Sequence, residues 1–129
     1  MIKIIFFVFG LFLYSNAYSE STVKAGDSLI WDSENKSYTA TGSVEFSNDT
    51  FVAFSEKMIA KYVEQGDKEL FTIVELFENV RIELKDEIFQ GDYAIYTRDE
   101  NIITLTGDVS IQSPTRLLKG HELIADIDN

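Results

Sequence analysis

The feature that most constrains this chain is an internal repeat. Four segments begin with a small residue, continue with two mostly polar residues and end in an apolar triplet: Gly26-Asp27-Ser28-Leu29-Ile30-Trp31, Ser55-Glu56-Lys57-Met58-Ile59-Ala60, Gly91-Asp92-Tyr93-Ala94-Ile95-Tyr96 and Gly120-His121-Glu122-Leu123-Ile124-Ala125. Their starts are separated by 29, 36 and 29 residues. Three segments interleave with them: Thr41-Gly42-Ser43-Val44-Glu45-Phe46, Phe77-Glu78-Asn79-Val80-Arg81-Ile82 and Thr106-Gly107-Asp108-Val109-Ser110-Ile111. Counted at Val, they lie 36 and 29 residues apart. One seven-residue insertion around 63–69, within the turn-forming stretch Glu64-Gln65-Gly66-Asp67-Lys68, reconciles both series.

Each unit reads as a pair of strands. Residues 44–47, 80–85 and 109–112 alternate apolar and polar, which is the period of a half-buried strand. Turn clusters punctuate the chain at 33–36, 47–50, 85–87, 98–101 and 113–115. No stretch of helix length carries a sustained apolar stripe. The best helical candidate, 54–63, alternates equally well as a strand, and its repeat mates are strands. The fold class is therefore all-β, an antiparallel sheet built from strand-pair repeats. Each unit buries its apolar face against its neighbours. Leu29 and Trp31, then Met58, Ala60 and Tyr62, then Ala94 and Tyr96, then Leu123, Ala125 and Ile127 share one parity. Tyr38, Ala40, Val44 and Phe46 form the matching row of the next strand. Their repeat mates are Val74, Leu76, Val80 and Ile82, and Ile103, Leu105, Val109 and Ile111. The opposite parity is mostly Ser, Glu, Lys, Asp and Thr, apart from one Ile per unit.

Residues 1–19 read as a cleaved secretory signal, leaving a single domain over 20–129. Lys3 is followed by an apolar run of eleven, Ile4 to Tyr14, too short to span a bilayer. Small residues then permit cleavage after Ala17 or Ser19. Cleavage removes one lysine and no acid, taking the formal charge from −11 to −12. An exported, acidic, cysteine-free chain suits a bacterial periplasm. So acidic a protein lacks the basic face that nucleic-acid binding requires. With no Cys and one His, it offers no thiolate nucleophile and no two-His metal site. His121 reads as a solvated residue at a repeat position where the other units carry Asp or Glu. No nucleophile-elbow motif surrounds any Ser. We expect no enzyme, no metal and no cofactor.

The chain resembles the LptA/OstA-like family of periplasmic lipopolysaccharide transport proteins. Ala53-Phe54-Ser55-Glu56-Lys57-Met58-Ile59-Ala60 is similar to that family's Ala-Asp-Lys-apolar strand. Residues 99–112, with Leu105-Thr106-Gly107-Asp108, resemble its Leu-Thr-Gly-Asn strand-turn. Leu118-Lys119-Gly120-His121-Glu122-Leu123-Ile124 resembles its Lys-Gly-Asp-Lys-apolar strand, and Thr41-Gly42-Ser43-Val44 is an earlier copy of the Thr-Gly-x-Val turn. The likeness runs over about 23–127. Two departures stand out: the chain stops soon after the strand at 122–127, and Glu78-Asn79-Val80 lacks the Gly of its siblings.

The resemblance implies a β-jellyroll, described as a folded, V-shaped sheet, with an apolar groove for the acyl chains of lipid A. It implies head-to-tail association, with itself or with related folds at the inner and outer membranes, through edge strands near 23–32 and 122–127. The groove candidates are Leu29, Trp31, Tyr38, Val44, Phe46, Met58, Tyr62, Leu76, Val80, Ile82, Tyr96, Ile103, Leu105, Val109, Ile111 and Leu123. Acyl burial should dominate binding, with at most local help from Lys57 and Lys61. The alternative is a closed-core scaffold that binds other envelope proteins, including the membrane-anchored member of the same pathway, and no lipid.

Overall fold

The computed structural model describes residues 2–4, as backbone, and 21–127. Most of the expected signal, residues 5–19, lies outside the described residues. The strands are β1 (Ile2–Ile4), β2 (Thr22–Lys24), β3 (Ser28–Asp32), β4 (Ser37–Ser47), β5 (Val52–Gln65), β6 (Lys68–Leu84), β7 (Glu87–Thr97), β8 (Ile102–Ser113) and β9 (Arg116–Asp126). They form one antiparallel sheet in the order β1-β3-β4-β5-β6-β7-β8-β9, with β2 also paired to β4. The all-β expectation holds, and 54–63 is strand, as its repeat mates required. The stretch 23–32 is two strands rather than one. The chain breaks at Gly26 and Asp27, so β2 pairs one end of β4 and β3 the other.

The repeat motifs are the places where the strands bend. Register slips between Thr41 and Val44, Phe54 and Lys57, Phe77 and Val80, Gln90 and Tyr93, and Thr106 and Val109. Across this line each Val faces a small residue: Val44 opposite Ser55, Val80 opposite Gly91, Val109 opposite Gly120. The slips form a crease running across β4 to β9. Two successive left-handed residues make each turn in the three interleaved segments that lead to Val44, Val80 and Val109: Gly42 (φ 83°) and Ser43 (φ 46°), Glu78 (φ 73°) and Asn79 (φ 55°), Gly107 (φ 84°) and Asp108 (φ 47°). Bulges of this kind bend a strand and increase its twist.

The crease folds the sheet back on itself. Phe71 pairs in β6 eleven residues from Ile82, which lies in the same row as Phe46. In a flat sheet those eleven residues would span roughly 36 Å. The rings of Phe46 and Phe71 are instead 6.0 Å apart. The sheet thus has two facing arms. The first carries β2 and the segments 44–47, 52–54, 80–84, 87–90, 109–113 and 116–120. The second carries β3 and the segments 37–41, 57–65, 68–77, 93–97, 102–106 and 122–126. The core lies between them: one cluster including Ala40, Phe46, Met58, Leu76, Ile82, Ile103 and Leu105, all at or near zero exposure.

Candidate functional site: the inner wall

Three rows of the ladder compose the wall. On the second arm, Leu29, Ala40, Met58, Leu76, Ala94, Leu105 and Leu123 are successive partners across seven strands. Beside them run Trp31, Tyr38, Ala60, Val74, Tyr96, Ile103 and Ala125. On the first arm the row is Val23, Phe46, Ala53, Ile82, Phe89, Ile111 and Leu118. Every side chain in all three rows is apolar or aromatic. With strands about 4.8 Å apart, seven of them give a wall roughly 29 Å long.

Of the groove candidates, Val44, Phe46, Met58, Tyr62, Leu76, Val80, Ile82, Tyr96, Ile103, Leu105 and Val109 are buried. Leu29, Trp31, Tyr38, Ile111 and Leu123 are half-buried. Burial follows position along the wall. Its middle, over β5 to β7, is sealed. At β9 the cover ends: Leu118 is 49% exposed, and Leu123, Ala125 and Ile127 are only half-buried. Lys57 and Lys61, expected to help locally with anionic groups, lie on the outer face, because Met58 and Ala60 between them point inward. Lys57 sits over the Phe77 ring at 5.6 Å, and both lysines are exposed. The outer parity carries its one Ile per unit, Ile30, Ile59, Ile95 and Ile124, in a single ladder row.

An aromatic rank closes one side of the wall. Tyr38 stacks on Trp31 at 6.3 Å and meets Tyr62 at 5.4 Å and Phe71 at 5.8 Å. From Phe71 the contacts pass to Phe46, on to Phe51 at 5.8 Å, and from Phe51 edge-on to Tyr96 at 5.0 Å. These separations suit edge-to-face and offset aromatic pairing. The polar tips are satisfied. Trp31 Nε1 donates to Tyr62 Oη at 2.7 Å, and Tyr38 Oη donates to Glu69 Oε1 at 2.8 Å. Burial and that bond to Glu69 raise the Tyr38 hydroxyl well above its ordinary value.

Phe51 and Phe71 escaped the sequence reading. Phe71 lies two residues beyond the expected insertion at 63–69, at the base of the overhanging β5–β6 hairpin, where it pairs with Tyr62. There Thr72 is an extra residue between the pairs Lys61–Ile73 and Tyr62–Phe71, bending the overhang. Phe51 could have been found as a break in the repeat, since its mates are Glu87 and Arg116. Outside this rank lies a cavity of about 750 Å³. Its lining includes Asn48, Asp49 and Thr50 from one turn, Lys68 to Phe71 from the hairpin, and Arg98 and Asn101, with Phe46 and Tyr96 at its floor.

Among the described residues no group of three His, Cys, Asp or Glu could hold a metal ion. His121 is exposed. Among the described residues no helix is long and apolar enough to cross a membrane.

Residues 23–129 match the family described as LptA/(LptD N-terminal domain) LPS transport protein. The chain belongs to this family. Among solved structures, it is similar to LptH from Pseudomonas aeruginosa, the LptA-homologous periplasmic component of the conserved lipopolysaccharide transport device. The TM-score is 0.74 at 15% identity, over 84% of this chain and 76% of that one. At that identity the likeness is one of fold. No curated protein matches the chain. The LptA-like motifs quoted from the sequence sit at the crease. Thr41-Gly42-Ser43-Val44 and Thr106-Gly107-Asp108-Val109 turn β4 and β8, and Gly120 faces Val109 from β9. The Gly missing from the middle copy is replaced by Glu78 in the same left-handed conformation. The residue placed like Asp27 and Asp92 is there Glu56, whose Oε1 accepts from the Ser43 amide at 3.5 Å.

Proposed function

We infer that this protein is a periplasmic carrier of lipopolysaccharide that shields lipid A acyl chains between its two arms. The observation that supports this most is the inner wall: three unbroken apolar rows across seven strands, sealed in the middle and uncovered at β9. Burying a methylene is worth about 0.8 kcal/mol. A twelve-carbon chain could thus gain roughly 8 to 10 kcal/mol before the costs of association. No catalytic group is needed.

The same arrangement supports a bridging role between inner and outer membranes. Among the described residues β9 is the last strand of the sheet, beside the uncovered end of the wall. A strand from a related fold, or from a second copy, could extend the sheet there and continue the wall. At the other end β3 carries β1 on its edge, and cleavage after Ala17 or Ser19 would vacate that edge as well.

The test is saturable binding of lipopolysaccharide to the purified protein, competed by acylated lipopolysaccharide and by a form stripped of its acyl chains. Competition by the acylated form alone supports the carrier. An intact fold without binding favours the closed scaffold.

A further inference from the structure

We propose that Phe51 and Phe71 form a latch that holds the two arms shut over β4 to β7, and that an acyl chain enters this part of the wall only when the latch opens. The proposal rests on the carrier reading above and adds a gate to it.

The latch is built where the chain departs from its own repeat. Phe51 ends the first β-turn on the first arm. Its counterparts in the later units are Glu87 and Arg116, which meet each other at the surface with Arg116 Nη2 3.4 Å from Glu87 Oε2. Phe71 stands at the base of the hairpin overhang, for which the other units have no equivalent. Both departures make contacts across the seam: Phe51 to Tyr96, and Phe71 to Phe46. Along β7, Tyr96 is nine residues from Glu87, the counterpart of Phe51, or roughly 30 Å in a flat strand. The 5.0 Å separation is therefore a clasp between arms and not a ladder contact.

The turn is shaped to aim Phe51 inward. Asn48 Oδ1 accepts from the Thr50 amide at 2.8 Å and from the Phe51 amide at 3.0 Å, and the Asn48 amide donates to the Phe51 carbonyl at 3.1 Å. An Asx turn of this kind fixes the backbone without help from the rest of the sheet. Phe51 is 3% exposed as a result. The polar-rimmed cavity beside this turn, lined by Asn48 to Thr50 and by Phe71, is large enough for the headward part of an amphiphile. Phe71 lines this vestibule together with the wall residues Phe46 and Tyr96, and Phe51 packs on both of those rings.

The moving part is the hairpin. Beyond the pair Tyr62–Phe71 the backbone ladder among the described residues joins its two strands to each other. Its side-chain ties to neighbouring strands include Tyr38 to Glu69 and the exposed pair Lys36 and Glu64 at 3.2 Å. An overhang with few buried contacts opens at low free-energy cost. Further along the seam, the first-arm rim carries Glu87, Ser113 and Arg116 and has no second aromatic clasp.

The experiment uses the purified full chain and a dansyl-labelled undecanoic acid as probe. Association and dissociation rates are measured by stopped flow for wild type, Phe51→Leu and Phe51→Glu. Glu is the residue the second repeat carries at this place, and circular dichroism verifies the fold of each variant before the rates are compared. Amide hydrogen exchange of residues 68–73 is measured without probe. The expected result is a several-fold rise in both rates and faster exchange at 68–73 in Phe51→Glu, with Phe51→Leu close to wild type. If the probe binds but rates and exchange are the same in all three proteins, the latch is overturned and the carrier reading stands. If no variant binds the probe while each is folded, the carrier reading falls and the gate falls with it.

Discussion

Asp92 lies so close to Gly107 that a Cβ built on the glycine would stand 2.5 Å from Asp92 Oδ2, and Asp27 crowds Gly42 in the same way, with its Cγ at 2.4 Å. Both glycines have φ near +84°, a region that costs an L-residue about 1 to 2 kcal/mol. The crease is therefore held by a pair of residues: a left-handed glycine and the aspartate, in the bend before β3 or in β7, that fills the space beside it. Gly107→Ala should cost about 2 kcal/mol or more, combining strain with the displaced Asp92. Gly66→Ala, also left-handed but with nothing within 4 Å, should cost about 1 kcal/mol. Urea unfolding of the two variants gives the comparison, and equal losses would contradict it.

The middle motif predicts the opposite sign. Glu78 holds φ 73° without a glycine's freedom. Glu78→Gly should relieve that strain and stabilise the fold by about 0.5 kcal/mol, after the added entropy of the unfolded chain. A lower midpoint in urea would refute it.

The inner wall should be energetically unlike the outer one. Leu105 is fully buried, and Leu105→Ala should cost about 3 kcal/mol by losing contacts and leaving a cavity. Leu117 is 55% exposed on the outer parity of β9, and Leu117→Ala should change stability by less than about 0.5 kcal/mol. Thermal unfolding of both variants reads the difference.

The polar tips of the aromatic rank are worth less, but measurably. Tyr62→Phe keeps the ring and removes the oxygen that accepts from Trp31 at 2.7 Å. A loss of about 1 kcal/mol is expected. Trp31 is the single tryptophan, so its fluorescence reports the unfolding directly.

Alkaline pH should weaken the fold. Burial, and then the hydrogen bond to Glu75 at 2.5 Å, push the Tyr93 hydroxyl up from 10.0 to about 12. The folded state therefore holds the proton more tightly than the unfolded chain. The contribution is complete below pH 10 and is lost as pH rises towards 12. Tyr38 is shifted in the same direction by burial and Glu69. Stability measured against pH should fall above pH 10, and Tyr93→Phe should make that fall shallower.

Much of this architecture is legible in the sequence because the repeat has a geometric cause. A small residue and a Val recur at fixed spacing because each unit must bend at the same line and place Val44, Val80 or Val109 opposite Ser55, Gly91 or Gly120. Alternation alone then assigns Met58 and Leu105 inward and Lys57 outward. Three things are not legible. Glu78 and Asn79 adopt the turn without a glycine, because the repeat context overrides local preference. The split of 23–32 depends on β4 bending beneath it. The clasp of Phe51 on Tyr96 joins residues distant in sequence and in the flat ladder, so no period or spacing encodes it.

The most direct test of acyl chains lying between the arms is site-specific photocrosslinking to lipopolysaccharide. A photoreactive residue is placed at Ile111 or Leu123 on the half-buried inner wall, and at Ile59 or Ile95 on the outer face. Adducts from the inner positions, absent from the outer ones and lost with de-acylated ligand, are the predicted result. Adducts from the outer face alone, or equally from both faces, would contradict it.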